Sequence, residues 1–154
     1  MEIKEILSGG KTPLKFEIPE ITNSSETSES QILEGIGKEK IQSLEKSIEN
    51  INALIEERED LSEKFIEESE DIKTETNNFL LENENVKDMD KSDLIKEKNS
   101  IRNKKIEISE LQLKEKIDCW KDVALLKKEL RQNEKELSEK QARLTELNNL
   151  MREE

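Results

Sequence analysis

Residues 71–110 read DIKTETNNFLLENENVKDMDKSDLIKEKNSIRNKKIEISE, and the order of apolar residues in this stretch decides the fold. Ile72, Phe79 and Val86 recur every seven residues, and Leu94, Ile101 and Ile108 repeat the interval after a gap of eight. Folded about Asp90, the two series superpose as Val86 with Leu94, Phe79 with Ile101 and Ile72 with Ile108. Two helices returning antiparallel need this kind of match. Asp88, Asp90 and Ser92 are suitable amino-terminal caps for a second helix, and a connection this short joins antiparallel neighbours. The expected fold is all-α: a long antiparallel two-helix coiled-coil hairpin with an extended or disordered N-terminal tail. A continuous helix of about 120 residues, dimerised in parallel, is the competing arrangement.

Carried outward, the axis pairs Leu61 with Cys119 and Trp120, Leu54 with Leu126, Ile51 with Leu130 and Leu44 with Leu137. On the first arm the expected seam is Ile41, Leu44, Ile48 and Ile51, then Leu54, Leu61, Phe65, Ile72, Phe79 and Val86 on a track offset by three residues. Such an offset is a stammer, which overwinds a supercoil locally. On the second arm the seam is Leu94, Ile101, Ile108, Ile117, Trp120, Val123, Leu126, Leu130, Leu137, Leu144 and Met151. Polar residues interrupt both rows, including Arg58, Glu68, Glu75 and Glu82 on the first arm and Asn133 and Lys140 on the second. Long stems of such residues cover a seam while their charges reach water. Trp120 stands where the apolar stripe is widest and is read as a packing anchor, with burial against another chain as the alternative.

Four segments follow: a tail with its linker (1–30), an acidic first arm (31–86), a turn (87–92) and a second arm (93–153). Ser28 and Gln31 form a capping box for the first arm, but Gly35 and Gly37 each cost about 1 kcal/mol in a helix interior, which points to a robust start near Lys38. The tail holds both prolines, and Leu14, Phe16 and Ile18 alternate with Lys15 and Glu17 between Pro13 and Pro19. That is the period of a short strand, and a lone strand must add to a sheet edge of a protein partner, pack back on the rod or stay disordered; the first is the leading expectation.

Composition supports a rod over a globule. Of 154 residues, 42% are charged, 31% hydrophobic and 3% aromatic, whereas a compact domain is nearer half apolar. The net charge of −12 is uneven: −3 over residues 1–30, −11 over 31–90 and +2 over 91–154. An acidic arm against a slightly basic one selects register, since exposed pairs are worth only about 0–1 kcal/mol each. The acidic balance excludes nucleic acid as an expected partner, because duplex binders carry a basic face.

Little in the chain points to catalysis. There is no histidine, and the single cysteine, Cys119, forms neither an internal disulfide nor a metal cluster. Gly9, Gly10, Lys11 and Thr12 resemble the end of a phosphate loop, but Glu5 stands where its first glycine belongs. The tripeptide from Asn23 matches a glycosylation sequon, but no secretory leader accompanies it. No stretch reaches the roughly 20 apolar residues that span a bilayer. The expectation is a soluble cytoplasmic protein without enzymatic activity, cofactor, metal, small-molecule substrate or membrane insertion. Its rod would mediate homo- or hetero-oligomerisation and its N-terminal peptide would engage a protein partner. The alternative expectation is a holdase-like chaperone or assembly factor that clasps clients between hairpins.

Overall fold

The computed structural model describes residues 27–84 and 90–153, which form two helices: α1 (Thr27–Glu84) and α2 (Lys91–Arg152). The tail peptide Leu14, Phe16 and Ile18, the residue Val86 and the first half of the expected turn (87–89) lie outside the described residues. α1 runs through Gly35 and Gly37 instead of starting near Lys38. Lys38 Nζ reaches back 2.7 Å to Glu34 Oε1, tying together the turn that contains both glycines. Gly37 also meets the other helix, where an added Cβ would lie 3.6 Å from Leu144 Cδ1. α2 begins at Asp90, whose extended backbone (φ −63°, ψ 139°) turns its carbonyl into the helix to accept the N–H groups of Asp93 and Leu94, both at 3.0 Å. Asp93 in the first turn and Arg152 in the last both complement the helix dipole.

The helices pack antiparallel as a hairpin, about 90 Å long at 1.5 Å per residue. Its register is written in the cross-helix contacts: Asn83 with Glu97, Lys73 with Gln112, Arg58 with Glu115, and Ser47 with Asn133. As the number rises on α1 it falls on α2, with a midpoint near residue 90. The expected reversal about Asp90 is therefore the observed one.

The face that α1 turns inward differs from the expected one beyond Ile51. Ile41, Leu44, Ile48 and Ile51 line the seam, but the inward row then continues through Ile55, Arg58, Ser62, Ile66, Ser69, Lys73, Thr76, Leu80 and Asn83. Leu54, Leu61, Phe65, Ile72 and Phe79 stay exposed, Leu61 at 56%. The three-residue offset is not taken because Ile55 keeps the phase of Ile51, and those two side chains close on Val123 with Cys119, Leu126 and Leu130 around them. Fully burying an Ile or Val contributes about 1.5–3 kcal/mol, which outweighs the cost of polar residues further along the row.

Those polar residues are accommodated. Ser69 and Thr76 donate their hydroxyls to the carbonyls of Phe65 and Ile72, one turn back on the same helix, at 2.5 and 2.7 Å. With its donor satisfied locally, each presents a small side chain to α2. On α2 the inward row includes Leu94, Ile101, Ile108, Gln112, Glu115, Cys119, Val123, Leu126, Leu130, Leu137 and Leu144. Two steps of four residues run in succession at Arg58–Ser62–Ile66 and at Glu115–Cys119–Val123, and these segments face one another. Each is a stutter, which unwinds the left-handed supercoil, so both helices straighten at the same level.

Candidate interaction surfaces

The middle of the seam is polar and tightly bonded. Arg58, inward on α1, spans two turns of α2: its Nη1 donates to Glu115 Oε1 at 2.6 Å and its Nε to Asp122 Oδ2 at 2.8 Å. The guanidinium holds the Glu115 carboxyl below its usual range, helped by the Ser62 hydroxyl and opposed by partial burial. In return the two carboxylates raise the Arg58 pKa and keep it firmly protonated. The Cys119 thiol lies 3.8 Å from the Arg58 carbonyl oxygen, which makes it a small packing residue in the seam, as its sequence neighbourhood suggested.

One level closer to the turn, the buried Gln112 ties a second knot. Its Nε2 donates to Glu70 Oε1 at 3.0 Å and to the Ile66 carbonyl at 3.4 Å, while its Oε1 accepts from Lys73 Nζ at 2.7 Å. Lys73 also pairs with Glu70 at 3.1 Å. Gln112 first, then Lys73, lower the Glu70 pKa. Both ends of the Gln112 amide are bonded to α1, so the cluster fixes register. Sequence reasoning anticipated Arg58, Asn133 and Lys140 as polar seam positions but missed Gln112. Its signal was available: Gln112 lies four residues after Ile108 and, folded about Asp90, falls opposite Glu68, next to Ser69.

The outer surface carries the large apolar side chains. Leu54, Leu61, Phe65, Ile72 and Phe79 each precede an inward residue by one, namely Ile55, Ser62, Ile66, Lys73 and Leu80, and so share one flank of α1. On α2 the same flank is marked by Asp122 and Leu125, which form a groove with Leu54 and Leu61, and by Lys104, which lies beside Phe79. Ile106, Leu113 and Trp120 each follow an inward residue of α2 by one and occupy the opposite flank, where Ile106 and Leu113 line a second groove with Leu80 and Lys105. There α1 contributes Glu56, Glu63 and Glu67.

Trp120 is 73% exposed and anchors nothing within the hairpin, because Cys119 takes the inward place next to it. Ile117 and Met151, also expected in the seam, are exposed too. Glu68, Glu75 and Glu82 are on the outer surface. Among the described residues no three His, Cys, Asp or Glu side chains are placed to hold a metal ion, and no helix is long and apolar enough to cross a membrane. Comparison with protein families, curated proteins and solved structures finds no match to this chain.

Proposed function

We propose that the chain is a non-enzymatic, cytoplasmic coiled-coil structural or adaptor protein, its helical rod mediating oligomerisation and its N-terminal peptide binding a protein partner. One observation carries this reading: five large apolar side chains, from Leu54 to Phe79, stand in a row on the outside of α1, while the inward row beside them is largely polar or small. Glu57, Glu68 and Glu75 interrupt the row, but five large apolar side chains along one flank are more than the scattered single residues of a soluble monomer, and such patches mark sites of protein association. The grooves along the rod are open, whereas catalysis calls for a concave site that excludes water. Leu14, Phe16 and Ile18, between two prolines, have the pattern of a strand-adding peptide.

Light scattering after size exclusion tests the rod. The reading expects a mass above the 18.0 kDa of one chain at micromolar concentration, and a single-chain mass at every concentration rejects it. Removing residues 1–26 should keep the assembly and abolish capture of the protein partner, so undiminished capture rejects the peptide's role. The exposed Trp120, with Leu113 and Ile106 on its flank, favours the chaperone alternative, in which hairpins clasp unfolded clients. Suppression of client aggregation at stoichiometric ratios would support that alternative, and a lack of effect would dismiss it.

A further inference from the structure

The exposed row on α1 is symmetric about its own midpoint. Leu54 and Phe79 are equidistant from the midpoint between Ile66 and Glu67, and so are Leu61 and Ile72, with Phe65 next to the centre. A row that reads the same from either end is complementary to itself when turned around. This is the requirement for an isologous interface, in which residue i meets j and j meets i. We propose that this flank binds a second copy of the same chain, α1 against α1 and antiparallel, about a twofold axis at Ile66 and Glu67. The proposal deepens the self-association read above and rests on it.

In this arrangement Leu54 of one copy packs on Phe79 of the other, Leu61 on Ile72, and the two Phe65 side chains meet near the axis. Lys64 and Glu68 lie on either side of the axis but not at mirrored positions: Glu68 faces Phe65 of the other copy, and each lysine comes within one residue of the level of the other copy's Glu68. The row spans 25 residues, about 37 Å along the helix, and a hairpin face is about 20 Å across. The contact is therefore on the order of 750 Å² per copy, close to the roughly 800 Å² of a standard stable interface.

The competing stack places α1 of one copy over α2 of the other, and net charge favours it: α1 has six basic and 17 acidic residues, and α2 has 16 basic and 12 acidic. Apolar complementarity is poorer there, because the row would meet Asp118 and Asp122 between Leu125 and Leu111, and Lys104 beyond Leu111. Exposed charge pairs contribute little beside the burial of large apolar side chains, so the self-complementary pairing prevails. Its cost is repulsion between two acidic helices, which salt screens.

Three readings on the full chain test the arrangement. Sedimentation equilibrium should show a dimer that tightens as salt rises from low to physiological ionic strength. Loosening with salt would overturn the α1-on-α1 pairing while leaving self-association intact. Spin labels at residue 68, in a Cys119→Ser background, should lie within about 20 Å of each other across the dimer, because residue 68 faces residue 65 of the second copy. Labels at residue 82 should be about 45 Å apart, since that position faces residue 51. Short distances at both sites would assign the α1-on-α2 stack and reject this one. Phe65→Lys combined with Ile72→Lys should return the mass to 18.0 kDa, and Leu113→Lys on the other flank should leave the dimer in place. A dimer that survives the double substitution overturns the proposal. A monomer in the parent chain overturns it together with the oligomerising rod.

Discussion

Arg58 on α1 and Glu115 on α2 meet across the seam at 2.6 Å, with both side chains little more than one-fifth exposed. The pair contributes through the charged form of Glu115, whose folded pKa lies below its ordinary 4.5. A depressed carboxyl pKa adds stability above the unfolded pKa, and the contribution is lost as pH falls below that value. Arg58→Met should therefore cost about 1 kcal/mol at pH 7, and the difference from the parent should shrink as pH drops below 4.5. Thermal unfolding followed by circular dichroism at several pH values measures it. A difference independent of pH would mean that the stem of Arg58, and not its charge, does the stabilising.

The two glycines of α1 are tolerated but unnecessary. An added Cβ meets nothing within 4 Å at Gly35 and is in ordinary contact with Leu144 at Gly37. Gly35→Ala and Gly37→Ala should each raise stability by about 1 kcal/mol and increase helicity. No gain in either variant would show that α1 does not run continuously through this turn.

Size is a poor guide to which side chains hold the hairpin together. Ile55→Ala should cost about 2 kcal/mol, because Ile55 is buried against Val123. Trp120→Ala, though it removes far more surface, should change monomer stability by no more than about 0.5 kcal/mol. Denaturant unfolding at low protein concentration compares the two variants, and a larger loss at Trp120 would place that ring inside the seam.

Labels at positions 44 and 137, with Cys119→Ser, should report a separation of about 20 Å or less within one chain, as expected for neighbouring helices. An unbent helix would separate these sites by about 140 Å. Dilution of labelled with unlabelled protein isolates the distance within a chain.

The reversal and register were legible in the sequence because, of the axes that recur about every 3.5 residues between two heptad rows of opposite direction, one fell on the turn signals around Asp90. The inward face of α1 was legible as far as Ile51. Beyond it the chain offers two rows one residue apart: Leu54, Leu61, Phe65, Ile72 and Phe79 are larger and more apolar, while Ile55, Ser62, Ile66, Ser69 and Leu80 keep the phase. Ranking by hydropathy selects the first row. The second wins because Ile51 and Ile55 enter together and α2 meets them with Val123, and because Ser69, Thr76 and Gln112 find hydrogen bonds that composition alone does not reveal. The same preference for size put Trp120 in the seam ahead of Cys119.

The antiparallel register centred near residue 90 brings Thr27 and Glu153 out side by side at one pole, with the end of α1 and the start of α2 at the other. Length is therefore adjustable only in pairs. Seven residues added to both arms at matching heights would lengthen the hairpin by about 10 Å and keep the opposing faces aligned. The same insertion in one arm would slip each contact beyond it past its counterpart. Viable insertions and deletions in such a chain should thus come as compensating partners, one on each side of Asp90.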